Sequence, residues 1–179
     1  DRETNEGVVS FYNHEDSSSF ALCQIKCETD FVAKNEDFLS FVNDLTKSIF
    51  ENNNIADTGS LNELSSLKVG EKDLNTALTD LISKIGENIQ LRRMETIEFD
   101  NSMSVGSYMH SDGKLATLVV TSNSDDNLAK DVAMHIAASN PLCKNPDDID
   151  TEVLEREKAI FEVQAKESGK DDAIMNKMV

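Results

Sequence analysis

Two kinds of hydrophobic periodicity alternate along the chain. The run Phe20-Ala21-Leu22-Cys23-Gln24-Ile25-Lys26-Cys27 is short and strongly apolar, the pattern of a strand packed on a core. Ahead of it, Gly7-Val8-Val9-Ser10-Phe11-Tyr12 reads as a partner strand, joined through the polar turn 14–19. Behind it, Phe38, Phe41, Val42, Leu45 and Ile49 recur at helical spacing, which predicts a helix near 35–50. Asn35 is placed to cap that helix, and Glu36 and Asp37 put negative charge in its first turn.

The same order returns later. Val105-Gly106-Ser107-Tyr108, the turn Ser111-Asp112-Gly113, the apolar run 115–120 and a helix near 125–139 repeat strand, turn, strand and helix. Asp-Gly between two apolar runs is a good hairpin signal. A hairpin alone is marginal and needs a helix or further strands over its apolar face. The repeat therefore predicts an α+β fold of two related lobes, each a small antiparallel sheet covered by helices. The N-terminal lobe is expected over 1–100 and the C-terminal lobe over 101–179, with the boundary at Asp100-Asn101-Ser102. Strands 20–27 and 115–120 are expected to be central in their sheets.

Other segments are readable with less detail. Leu74, Ala77, Leu78, Leu81, Ile82 and Ile85 form a second helical stripe, and Gly86 stands where a left-handed helix cap is expected. In the helix near 125–139, Leu128, Val132 and Ile136 run beside Ala129, Ala133 and Ala137, a small-residue row that permits close approach to a sheet; Pro141 marks the stop. A charged segment, 151–168, predicts a peripheral helix, and 51–72 a loop with a short helix around 61–67. Ile89–Met94 reads as a strand whose alternation breaks at Arg92-Arg93, and both arginines are expected to pair with internal carboxylates.

The corner Thr29-Asp30-Phe31-Val32-Ala33-Lys34-Asn35 fits its position least well. It lies between the apolar strand and the capped helix, outside the stripe that starts at Phe38. Phe31 can be a core residue with Thr29 a turn cap, or it can point out of the domain beside Asp30. Residue types alone leave both open.

Composition narrows the function classes. With 17 basic and 34 acidic residues the net charge is -17, so phosphate backbones and anionic membranes are poor partners, and a basic or mixed protein surface is a better one. No stretch approaches the ~20 apolar residues of a membrane span. The three cysteines are an odd count, and Cys23 and Cys27 share a strand face roughly 13 Å apart at ~3.3 Å per residue, too far to bridge. Both are expected in the core, and a reducing compartment fits them. Nothing has the spacing of a metal site. No GxxxxGK[ST] or GxGxxG loop is present, so no nucleotide or other cofactor is expected. His14, His110 and His135 stand in no recognisable nucleophile setting, and no covalent catalysis is expected.

CETDFVAKNEDF, beginning at Cys27, resembles the signature of the elongation factor Ts family. Lys84-Ile85-Gly86-Glu87-Asn88-Ile89 with Arg92-Arg93, then Gly106-Ser107-Tyr108-Met109-His110, then Met134–Pro141 resemble the same family in the same order. The resemblance implies a guanine nucleotide exchange factor for elongation factor Tu, promoting GDP release in translation elongation without covalent catalysis. It implies that Asp30, Phe31, Val32, Ile85, Gly86 and His110 contact elongation factor Tu, with Phe31 a wedge between the partner's helices. The GDP-bound and nucleotide-free forms are both expected as partners, nucleic acid and membrane are not, and a homodimer or heterodimer stays open. The compartment implied is the bacterial cytoplasm, the mitochondrial matrix or the plastid stroma. The rival expectation is a binding or scaffold protein that uses the same surface without accelerating exchange. Family members carry an N-terminal three-helix module, and many a coiled-coil excursion and further C-terminal chain. Both ends of this chain look cut beside them, with the second lobe expected to lack strands.

Overall fold

A computed structural model describes residues 2–14, 18–52 and 67–167. The chain divides into two compact units, 1–138 and 139–179. Among the described residues no helix is long and apolar enough to cross a membrane.

The first unit is built on a three-stranded antiparallel sheet. β1 (Glu6–Tyr12) pairs with β2 (Ser19–Cys27), and β2 pairs on its other side with β5 (Gln90–Glu98). β2 is therefore central, as its apolar run predicts. α2 (Glu36–Glu51) lies across β2 and β1. Ala21, Cys23, Ile25 and Cys27 alternate onto the face under that helix and meet Phe38, Phe41, Val42, Leu45 and Ile49, all buried. Fully burying each large apolar side chain of this group stabilises the fold by about 1.5–3 kcal/mol. Asn35 caps α2, its side-chain oxygen accepting from the N–H groups of Asp37 (2.9 Å) and Phe38 (3.3 Å).

Burial pushes the Cys23 thiol up to about 12 and the Cys27 thiol up to about 11, the latter helped by the nearby Glu87 and Glu6 charges. Both are core thiols held in the neutral, unreactive form.

A two-residue hairpin, β3 (Lys68–Val69) and β4 (Lys72–Asp73), leads into α3 (Leu74–Ile85). Asp73 caps α3 by accepting from Thr76 N (2.9 Å). Leu74 and Leu81 are buried, and Ala77, Leu78, Ile82 and Ile85 pack against the same core. The loop expected over 51–72 and its short helix lie largely outside the described residues; Leu67, at their edge, is buried.

β5 carries a correction. Gln24 pairs with Arg93 but Ile25 with Leu91, so Arg92 is an extra residue in a bulge. The bulge is the cause of the broken alternation, and it leaves Arg92 and Arg93 both exposed. Among the described residues neither arginine forms the expected ion pair with a carboxylate.

β6 (Ser104–Met109) and β7 (Ala116–Thr121) form the second hairpin, followed by α4 (Asp126–Ser139). β7 pairs only with β6 among the described residues, so the expectation that it is central in a sheet does not hold. Ala129 and Ala133 are the buried side of α4, and a Cβ on Gly106 would overlap the backbone of Ala129 and Lys130. The small-residue row thus brings helix and hairpin into backbone contact, and Thr117 Oγ1 donates to Ala133 O across the seam (2.8 Å). Leu128, expected in the apolar stripe, lies outside that seam and is exposed.

In the second unit a short turn, 146–148, precedes α5 (Thr151–Glu167). Leu154, Ile160, Phe161 and Val163 on α5 are exposed, in line with its weak stripe.

Candidate functional site

The corner after β2 is a single helical turn, α1 (Asp30–Ala33), wedged between two capping residues. Thr29 caps it, Oγ1 accepting from Val32 N (3.3 Å), and Cys27 Sγ donates to Thr29 O (3.3 Å). Asn35 N donates to Val32 O (2.9 Å) and Asn35 at once caps α2. One face of this turn, Val32 and Ala33, is buried in the core. The opposite face is left for Phe31, which is 80% exposed. A large aromatic ring on a turn anchored from below is held out to solvent, which decides between the two readings of the corner.

Asp30 sits beside the ring. Its carboxylate accepts from Lys34 Nζ (3.0 Å), and that hydrogen bond and charge hold its carboxyl below the usual carboxylate range.

A second segment joins the corner. α3 ends at Gly86, whose φ of 81° is left-handed and whose N–H donates to Ile82 O (2.8 Å). No atom lies near the Cβ position of Gly86, so the turn is open to an approaching surface. Ile85 is half-buried against the core. Immediately after the turn, Glu87 Oε2 accepts from the N–H groups of Glu28 (3.2 Å) and Thr29 (3.1 Å), and Glu87 Oε1 accepts from Thr29 Oγ1 (2.6 Å). In return Glu28 Oε1 accepts from Asn88 N (2.5 Å) and pairs with Arg2 Nε (3.1 Å). Arg2 Nη2 also donates to Gly86 O (2.8 Å).

The third segment is the turn between β6 and β7. His110 Nδ1 lies 2.9 Å from Asp112 Oδ1, and Gly113 O accepts from Val9 N (2.8 Å), docking the turn on β1. Lys114 Nζ reaches Glu6 Oε2 (2.5 Å), and the Lys114 charge also acts on Asp30. The Lys114 N–H on Asp112, with His110 behind it, holds the Asp112 carboxyl below its ordinary value. His110, half-exposed, stands at the rim of a groove of about 430 Å³ lined by Tyr108, Leu115, Met134 and Ala137.

Hydrogen bonds of Glu28 and Thr29 with Glu87 and Asn88 therefore tie the corner that carries Asp30 and Phe31 to the segment that follows the Ile85-Gly86 turn, and the turn carrying His110 is docked on β1. Val32 differs from the rest in facing the core. What sequence reasoning missed are the groups that hold these segments: Glu28, Glu87 and Lys114. Glu28 and Glu87 both lie inside the family-like motifs, but a contact across 58 residues has no local signature.

The arrangement offers exposed apolar and polar groups on a rigid base, the means of docking a surface. Among the described residues no cluster of His, Cys, Asp and Glu is placed to hold a metal ion.

Comparison with known proteins gives one consistent result. A family model described as Elongation factor TS matches residues 28–179. The Elongation factor Ts of Alkalilimnicola ehrlichii is 41% identical over 175 residues, 97% of this chain and 58% of that protein. That of Bordetella petrii is 41% identical over 178 residues, covering 99% and 58%, and that of Clostridium kluyveri 38% identical over 186, covering 99% and 59%. The chain spans a little under three-fifths of the length of these relatives.

Proposed function

The chain belongs to the elongation factor Ts family, and on that premise we propose that it is a guanine nucleotide exchange factor for elongation factor Tu, releasing GDP during translation elongation. The observation that carries this is Phe31, 80% exposed on a turn whose other face is buried. An exposed aromatic on a fixed base is an anchor for a partner's pocket. Asp30 offers a carboxylate beside it, the Ile85-Gly86 turn an open backbone, and His110 the rim of a groove. Val32 contributes from beneath by holding the turn.

Exchange is a coupling between two binding sites, and the coupling is reciprocal. Whatever factor the chain loosens GDP by, GDP loosens the chain by the same factor. Burying one Phe contributes about 1.5–3 kcal/mol, roughly ten- to a hundredfold in a dissociation constant. That is too little to open a tight nucleotide site alone, so the Gly86 turn and the His110 groove supply the rest of the interface. The net charge of -17 favours encounter with a basic or mixed surface. Elongation factor Tu operates in the bacterial cytoplasm, the mitochondrial matrix and the plastid stroma, and the chain is assigned to such a compartment.

The test is stopped-flow release of a fluorescent GDP from a bacterial elongation factor Tu, with and without this chain. Acceleration that saturates with chain concentration is the expected result. Binding without acceleration would favour the scaffold reading, and no binding would overturn both.

A further inference from the structure

We propose that Glu87, with Glu28, is a positioning residue for the Phe31 corner: the two carboxylates lock the exposed ring to the Gly86 turn so that both meet a partner as one rigid face. This rests on the docking role given to Phe31 above and adds residues to which that role assigns nothing.

The geometry is reciprocal. Glu87 follows Gly86, and its carboxylate takes the backbone N–H groups of Glu28 and Thr29 and the hydroxyl of Thr29. Glu28 leaves β2, and its carboxylate takes the backbone N–H of Asn88. Each acidic side chain thus satisfies the other segment's backbone, across 58 to 60 residues of chain. Thr29 is the N-cap of α1, and α1 is only four residues long. A helix of that length does not hold itself, so its orientation depends on the burial of Val32 and Ala33 beneath it and on what fixes its cap. Thr29 is held on both its N–H and its hydroxyl by the one carboxylate, and Thr29 Oγ1 still accepts from Val32 N. A carboxylate accepting several backbone bonds is among the stronger and more directional neutral-to-ion contacts.

Putting two carboxylates side by side in a chain of net charge -17 is unfavourable unless donors compensate it. Here Arg2 pairs with Glu28 and also donates to Gly86 O, crossing over both segments. The Glu28 side chain is 15% exposed, so its bonds are partly shielded from water. Asp30 and Lys34, by contrast, pair within their own turn at the surface.

The amide of Glu87→Gln keeps one carbonyl for the two N–H groups, while its NH2 can donate to Thr29 Oγ1. Glu87→Ala leaves both N–H groups without that acceptor. In the stopped-flow assay, Glu87→Ala is expected to slow catalysed GDP release about tenfold or more, and Glu87→Gln to recover most of the loss. A merely structural residue would act independently of the ring. The decisive measurement is therefore Glu87→Ala in a Phe31→Ala background, where its effect should shrink to about twofold or less because there is no ring left to position. Undiminished loss in that background overturns the proposal. Amide hydrogen exchange of the free chain gives a readout without a partner. Val32 and Ala33 in α1 should exchange faster in Glu87→Ala, with Leu45 and Ile49 in α2 unchanged; equal acceleration in both helices overturns the proposal in favour of global destabilisation. If the unaltered chain fails to speed GDP release, the exchange function falls, and selective loosening of α1 still upholds the lock.

Discussion

Phe31 and Phe38 stand seven positions apart, and the same substitution should have opposite consequences at each. Phe31 is 80% exposed and Phe38 is fully buried under the sheet. Phe38→Ala removes a core ring and leaves a cavity, which costs about 3–5 kcal/mol. At about 2–4 °C per kcal/mol for a chain of this size, the thermal midpoint should fall by roughly 6–20 °C. Phe31→Ala opens no cavity, and Ala is the better helix former, so stability should move by no more than about 0.5 kcal/mol, or roughly 1–2 °C. The partner reads the two changes the other way. A buried interface anchor costs at least ~2 kcal/mol when truncated, which is about thirtyfold in the coupling. Thermal melts by circular dichroism and stopped-flow release of fluorescent GDP, run on the same preparations at a temperature where both variants are folded, separate the outcomes. Phe31→Ala should melt like the unaltered chain and release GDP slowly, and Phe38→Ala should melt early yet exchange close to normally while folded. A Phe31→Ala chain that melts as early as Phe38→Ala, or exchanges normally, would refute the docking role of the ring.

Two further outcomes follow from the packing. Gly106→Ala should push α4 off the second hairpin, because the new methyl overlaps the backbone of Ala129 and Lys130; a loss of about 1–3 kcal/mol is expected in denaturant unfolding, and an unchanged midpoint would contradict the close seam. With thiol reagent at pH 8, Cys143, which is partly exposed, should react well before Cys23 and Cys27, whose raised values of about 12 and 11 leave almost no thiolate. Because these two thiols ionise more easily unfolded than folded, their contribution to stability is complete below the unfolded value near 8.5–9 and is lost as pH rises towards 11–12. Rapid labelling of Cys23 under native conditions would be incompatible with its burial.

Much of this protein is written locally. The α2 stripe from Phe38 to Ile49, the Asn35 cap, the strand run 20–27 and the hairpin around Asp112-Gly113 are short-range patterns, and period and cap chemistry determine them before any tertiary contact forms. The four motifs in their order likewise carry the family. Four things waited for the fold. Whether Phe31 is core or surface depends on which face of one helical turn the core takes up, and a segment of four residues is too short to have a period. The break at Arg92-Arg93 is visible in the sequence, but only the pairing with Gln24 and Ile25 makes it a bulge that turns both arginines outward. In α4 two stripes competed; the backbone contact that only Gly106 permits drew in the alanines and left Leu128 outside. The Glu28–Glu87 exchange belongs with these, because a hydrogen bond across 58 residues is set by where two chain segments arrive in space, and no window of sequence contains both ends.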